Sequence, residues 1–417
     1  MWAATWDPAN NIVVTNAAGQ QLFTAQVGTD AAPDFRSWIL VSAAPHGSPP
    51  IDAIPPPAIA DPYAFAHLER GHMVTGWQQT LSAAELTTVD AGHVAASHSR
   101  LRRHLWLVLA DAPELGGLIE SNFFDYPAIA HRTEHLFGPG FRWGTQMSQN
   151  ERFPEFPPDD PFNEFNLGEW LAVPSYLPGH HYVERWHHAP FGPSLGQAFR
   201  GSPAARTGDR LTIAPSMFSD RSVPARANWV AATSHRKTLF RDGVQIVTDP
   251  NDLDNWFPAV DVPPAPATYR FEQEETRGPW SGATMFELST HVIAAWTFRS
   301  QHVDGTAPAI LPVPTLRFLP ELDDDDRAPS RVMFLPVFVE RPPGAATPRI
   351  THVGVEISFD DGTTWTTVPG AAIGDHWLGV VVHPAGSAFA SLRGTATDVD
   401  GNRSEVTILR AYRVAAP

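Results

Sequence analysis

A chain of 417 residues is too long for one hydrophobic core and predicts about two to four domains. Its net charge of −16 opposes phosphate backbones and anionic lipid, which excludes nucleic acid and membrane surfaces as expected partners, and the absence of cysteine excludes disulfides, thiolate metal sites and cysteine catalysis. The 41 prolines and 30 glycines fall between short apolar runs, so the composition predicts an all-β protein built from tandem β-sandwiches.

The N-terminus, Met1-Trp2-Ala3-Ala4-Thr5-Trp6-Asp7-Pro8, has neither the basic nor the apolar region of a signal peptide. No apolar run reaches the length of a membrane span. Lys237 is the sole lysine, a bias that with abundant Ala and Pro fits a high-GC bacterial source. Protonating the 18 histidines would offset the whole negative charge, which predicts pH-sensitive solubility.

Residues 1–60 read as short strands, Ile12–Thr15 and Ser37–Val41, followed by an extended proline tract at Pro49-Pro50 and Pro55-Pro56-Pro57. His46-Gly47-Ser48 matches a subtilisin histidine segment only superficially. A β-sandwich domain is expected over 61–205, with strands at His104–Leu109 and Arg142–Met147 and a loop at Phe153–Phe165. Within it, His180-His181-Tyr182-Val183-Glu184-Arg185-Trp186-His187-His188 is the densest ionisable cluster. On one continuous strand, His181, Arg185 and His187 share a face and Tyr182, Glu184, Trp186 and His188 the other. Arg185 opposes a cation there, so the cluster reads as an exposed strand with incidental histidines, not a zinc or copper site. Gly192-Pro193-Ser194-Leu195-Gly196 matches the nucleophile-elbow pattern, but the chain has no β/α alternation and Pro190 and Pro193 crowd the approach, so Ser194 is expected to be a loop serine.

A second sandwich, immunoglobulin-like, is expected over 206–303. Its strands are Arg210–Ile213, Trp229–Ala232, Thr238–Phe240 and Val244–Val247 around an Arg241-Asp242-Gly243 turn, Thr268–Gln273 and Val292–Phe298. Asp304–Pro314 reads as a linker, and 304–417 as a fibronectin-like domain with strands at Gly379–His383, Ala390–Thr397 and Glu405–Arg413. Asp323, Asp324, Asp325 and Asp326, after Glu321, are hard oxygen donors and the candidate calcium ligands of the chain; Asp398, Asp400 and Asn402 form a weaker candidate. No other cofactor is expected.

Ser358-Phe359-Asp360-Asp361-Gly362-Thr363-Thr364-Trp365 fits the Asp-box pattern Ser-x-Asp-x-Gly-x-Thr-Trp. Val353, Val355, Ile357 and Phe359 alternate before it as in a half-buried strand, Asp361-Gly362 supplies the turn, and the motif organises a hairpin without performing chemistry. One copy argues against a sialidase-type propeller, which repeats the box blade by blade. The 14 tryptophans admit glycan stacking, although Trp143, Trp296 and Trp365 lie in contexts that favour packing.

The blocks Gly140-Phe141-Arg142-Trp143, Phe191-Gly192-Pro193, Thr238-Leu239-Phe240-Arg241-Asp242-Gly243, Glu287-Leu288-Ser289-Thr290 with Trp296-Thr297-Phe298-Arg299-Ser300, Leu322-Asp323 with Arg327-Ala328-Pro329, and Thr397-Asp398 with Gly401-Asn402 occur in that order. Their series resembles the C-terminal, non-catalytic region of secreted subtilisin-like (S8 family) serine peptidases of actinobacteria, over most of residues 65–417. The resemblance implies an extracellular run of sandwiches, the last fibronectin-like, that partners a peptidase domain or its protein substrate. The Asp, His and Ser segments of the triad are missing, so no catalytic residue is carried over and the chain is expected not to be an enzyme. The alternative is a free-standing extracellular protein that binds glycan or protein.

Overall fold

A computed structural model describes residues 3–6, 11–15, 21–30, 36–43, 63–70, 82–93, 100–109, 119–124, 130–152, 164–172, 176–196, 202–223, 225–230, 233–249, 259–277, 286–328 and 331–414. The proline tract, His46–Ser48 and most of the loop at 153–165 lie outside the described residues. Within them the chain is all-β, with one 3-10 turn at Ala83–Glu85. Alternation explains the strands locally: in Ala267–Thr276 residues Ala267, Tyr269, Phe271 and Gln273 are buried while those between are more exposed.

The chain divides into two compact units, 1–165 with 171–186, and 166–170 with 187–417. In the first, an eight-stranded sheet runs in the order Ala3–Trp6, Asn11–Thr15, Gln21–Asp30, Arg36–Ala43, Tyr63–Arg70, Ala130–Phe137, Thr87–His93, His181–Trp186. Its first five strands are an antiparallel meander, and His181–Trp186 closes it parallel to Thr87–His93. Antiparallel strands Phe141–Arg152, Arg100–Leu109 and Ile119–Phe124 also lie in this unit. Its core combines small and large side chains: Ala64, Ala66, Val89, Ala91 and Leu136 pack with Trp143, flanked by Phe141, Tyr176 and Tyr182.

The second unit is organised by two facing sheets. The wide one has nine strands, in the order Val244–Asp249, Ser234–Arg241, Ala267–Thr276, His291–Ser300, Arg403–Val414, Phe389–Asp398, Ile350–Ser358, Thr366–Thr367, with Arg327–Ala328 paired beside Arg403–Val414. The narrow one has four, Thr315–Phe318, Val332–Glu340, His376–Val382 and Gly370–Ile373. Leu316 and Phe318 of the narrow sheet pack so closely on Gly394 of the wide one that a Cβ there would lie 3.2 and 3.1 Å from them. Trp296, fully buried, stacks on Phe271 and donates its indole N–H to Thr315 Oγ1 at 3.0 Å, so its one polar atom is satisfied across the core.

The units differ from the boundaries expected at 205/206 and 303/304. Ala204–Thr207 straddles the first and pairs with both Arg210–Ile213 and Ala309–Ile310. Across the second, His291–Ser300 is hydrogen-bonded along its length to Arg403–Val414. Glycine and proline mark turns inside a domain as readily as linkers between domains, and composition does not separate the two.

Candidate functional site

Ser194 ends the short strand Gly192–Ser194, which pairs with Ser216–Ser219. The hydroxyl is fully buried and donates to Glu340 Oε2 at 2.6 Å, and the same oxygen accepts the amides of Leu195 at 3.3 Å and Gly196 at 3.1 Å. Ser194 Oγ in turn accepts the Gly196 amide at 3.0 Å. At Gly196 a Cβ would stand 2.3 Å from Glu340 Oε1, so any larger residue there would displace this carboxylate. A nucleophile needs a general base and an open approach for substrate. Ser194 has no exposure, and its carboxylate partner also holds the amides of Leu195 and Gly196, so the pattern that matches an elbow fastens this loop to the narrow sheet.

The histidine cluster is divided. Over His181–Trp186 the expected alternation holds, with Trp186 buried and His181, Val183 and Arg185 outward. His181 Nε2 lies 2.7 Å from Asp90 Oδ2, and the Glu184 carboxylate accepts from Tyr176 and from Trp186 Nε1. The strand stops at Trp186, because His187 has φ of 63°. His187 and His188 are buried, not on the exposed strand expected from the sequence. A single left-handed residue, His187, breaks the period-2 pattern, which no run of side-chain types announces.

His188 Nδ1 meets Asp326 Oδ1 at 3.1 Å, both side chains being almost fully buried. Nearby, Asp220 accepts from Arg226 at 2.7 Å and from the His187 and Ser222 amides. Burial alone would raise the Asp220 pKa; the Arg226 charge and the Ser222 hydrogen bond outweigh it, and the net direction is down. Arg277 is enclosed by the rings of Phe191, Phe218 and Phe286, each 4.3 to 4.7 Å from the guanidinium carbon, and donates to the Ser289 and Leu288 carbonyls. Burial pulls its pKa down to about 9.

The acidic run does not converge. Asp323 Oδ1 caps its own turn, accepting the amides of Asp325 at 3.0 Å and Arg327 at 2.9 Å, while Asp326 points inward to His188 with φ of 55°. At the second candidate, Asp398 is buried and accepts the amides of Asp400 and Asn402, the Asn402 side-chain nitrogen and Arg341. Among the described residues no three His, Asp or Glu side chains are grouped to hold a metal ion.

The Asp-box forms the expected hairpin. Asp360 accepts from Ser358 Oγ at 2.7 Å, the Thr364 amide at 2.8 Å and Thr364 Oγ1 at 2.6 Å. The Thr364 and Ser358 bonds pull its pKa down to about 2. Asp361 and Gly362 turn with φ of 54° and 85°, and Trp365 donates to the Gly362 carbonyl at 2.9 Å under the Arg393 guanidinium. Arg410 clamps Asp361 with two bonds of 2.9 and 2.7 Å.

The outward face of the wide sheet carries a groove of about 250 Å³ that the sequence reading missed. Ala295 and Thr238 lie at its floor, and its walls include ion pairs Arg236–Glu274 and Arg270–Glu405. Its members come from strands more than a hundred residues apart in sequence, which is why no local pattern marks it. Among the described residues no helix is long and apolar enough to cross a membrane. The chain matches no protein-family model and no curated protein, so the likeness to the subtilisin-like region rests on the residue blocks alone.

Proposed function

We propose that the chain is a non-catalytic accessory β-sandwich region that stabilises a secreted subtilisin-like peptidase or helps it engage protein substrate. The observation that carries this reading is the fate of Ser194, whose hydroxyl is buried and committed to Glu340. His188, Asp220, Asp326 and Asp398 are committed to internal partners in the same way. Chemistry-bearing residue types are spent on architecture, as expected of a module whose function is to hold a shape.

The fibronectin-like reading of the last hundred residues belongs to the same proposal and has support in strand order. Of the seven long strands from Thr315 onward, the first, second, fifth and fourth form the narrow sheet, and the third, sixth and seventh lie together in the wide one. Immunoglobulin-type sandwiches divide their strands in this order.

Reading the DNA upstream of Met1 and weighing the native protein tests the proposal. An in-frame peptidase domain is expected; a native start at Met1 with no such domain encoded nearby would move the free-standing binding protein to first place. That second reading is favoured by the polar groove, where Arg–Glu pairs over a floor of small residues suit a neutral polyhydroxylated ligand. Retention on immobilised polysaccharide, lost in Ala295→Trp, would establish it.

A further inference from the structure

The strand Val332–Glu340 carries no polar side chain before Glu340, and His376–Val382 none after its first residue. Strands apolar on both faces are those covered on both sides. Their inward residues, Met333, Leu335, Val337, Trp377 and Val381, are buried in the core. Outward, Val332, Phe334, Val380 and Val382 are 56, 64, 37 and 55% exposed, and Ile373 on the edge strand is 51% exposed. The register sets Val332 opposite Val382 and Phe334 opposite Val380, so these side chains form one continuous surface. Val332, Phe334, Val380, Val382 and Ile373 have no charged side chain among them, and Glu340, which alternates with Val332 and Phe334 on the same strand, is committed to Ser194 at the covered end. Arg317, at its covered end, is buried and donates to the carbonyls of Asp220 and Ser222. His376, at the opposite end from Val382, stacks on Phe338 and bonds Asp375 at the rim.

We propose that this face binds a second copy of the chain, sheet on sheet across a two-fold axis. Two arguments select that occupant. The first is charge: copies with a net charge of −16 repel one another over most of their surface, and this face lets them meet without opposing like charges. The same charge disfavours anionic lipid, and a face without charge offers nothing to hold an ionic peptide.

The second argument is area. Three strands about 4.8 Å apart and about seven residues long cover on the order of 350 Å². That is the size of the largest apolar patch on an ordinary monomer, about 300–600 Å², and under half of the roughly 800 Å² per partner of a standard stable interface, which limits a dimer built on it to weak, reversible association. A symmetric face of this size fits a reversible dimer, with the second sheet packed about 10 Å away as in any sandwich.

Sedimentation velocity of the full chain over rising concentration tests the proposal. The wild type is expected to shift from monomer towards dimer with little dependence on salt. Phe334→Asp and Val380→Asp should each weaken association by at least about tenfold with unchanged melting, since both side chains are exposed. Ile246→Asp, on the Val244–Asp249 edge strand of the wide sheet, should dimerise as the wild type does. A wild type that stays monomeric at the highest concentration, a dimer indifferent to Phe334→Asp, or a monomer that associates only with phosphatidylcholine vesicles or an added protein would overturn it. The outcome is independent of whether a peptidase domain is encoded upstream.

Discussion

On the outward face of the wide sheet, Arg236, Arg270 and Arg393 each lie against a glutamate, and Thr, Ala and Gly fill the spaces between. On the outward face of the narrow sheet, Val332, Phe334, Val380 and Val382 stand in the same positions relative to their core, with no charge among them. Both sheets bury their inward residues against the same interior, so core formation does not account for the difference. What differs is the medium each outer face is built to meet. The ionic lattice is matched to water, where each pair contributes little because solvent screens it. The apolar face is matched to another protein surface.

Substitutions inside and outside the sandwich sharpen this contrast. The largest effect is expected from Trp296→Ala, which empties the shared core and orphans the Thr315 hydroxyl; a loss of about 3–5 kcal/mol in denaturant unfolding is expected. Glu340→Ala leaves the buried Ser194 hydroxyl and two amides without their acceptor and should cost about 3 kcal/mol. If it melts like wild type, the Ser194–Glu340 link is not structural. Arg270→Ala, on the ionic face, should cost only about 0.2–1 kcal/mol and less at high salt, because its pairs are partly exposed. A loss as large as that of Trp296→Ala would mean that the outer lattice, and not the core, carries the sheet.

The smallest effect concerns pH. The folded pKa of Asp360 lies below its ordinary value of 3.8, at about 2. The unfolded chain therefore takes up this proton first, and the stability that the carboxylate contributes is complete above about pH 4 and lost as pH falls towards about 2. Trp365 fluorescence, which reports the hairpin, should hold between neutral pH and about 4 and change only below it. A transition near neutral pH would point to the histidines instead.

Much of the fold was legible because strands announce themselves locally. Ile350–Ser358, Ala267–Thr276 and Phe389–Asp398 alternate in sequence as they do in burial. The Asp-box was legible for the same reason, the hydrogen bonds around Asp360 closing within a few residues, whereas the Arg410 clamp on Asp361 arrives from 49 residues away and left no local sign. The partnerships that decide what the polar residues do were not. Ser194 and Glu340 are 146 residues apart and His188 and Asp326 are 138, and no spacing rule reaches across such distances. Glu340 did leave a signal, as the first charge after eight apolar residues. The turn at His187 left none, since positive φ at a histidine depends on its tertiary setting.

The claim that chemistry-like residues here serve architecture is tested most directly at Ser194, by fluorophosphonate labelling of the intact protein alongside the melting temperature of Ser194→Ala. No label is expected on the wild type, and the variant should melt at a lower temperature, with about 1–3 kcal/mol of stability lost. A labelled wild type whose label vanishes in Ser194→Ala, with melting unchanged, would contradict it and make Ser194 a nucleophile.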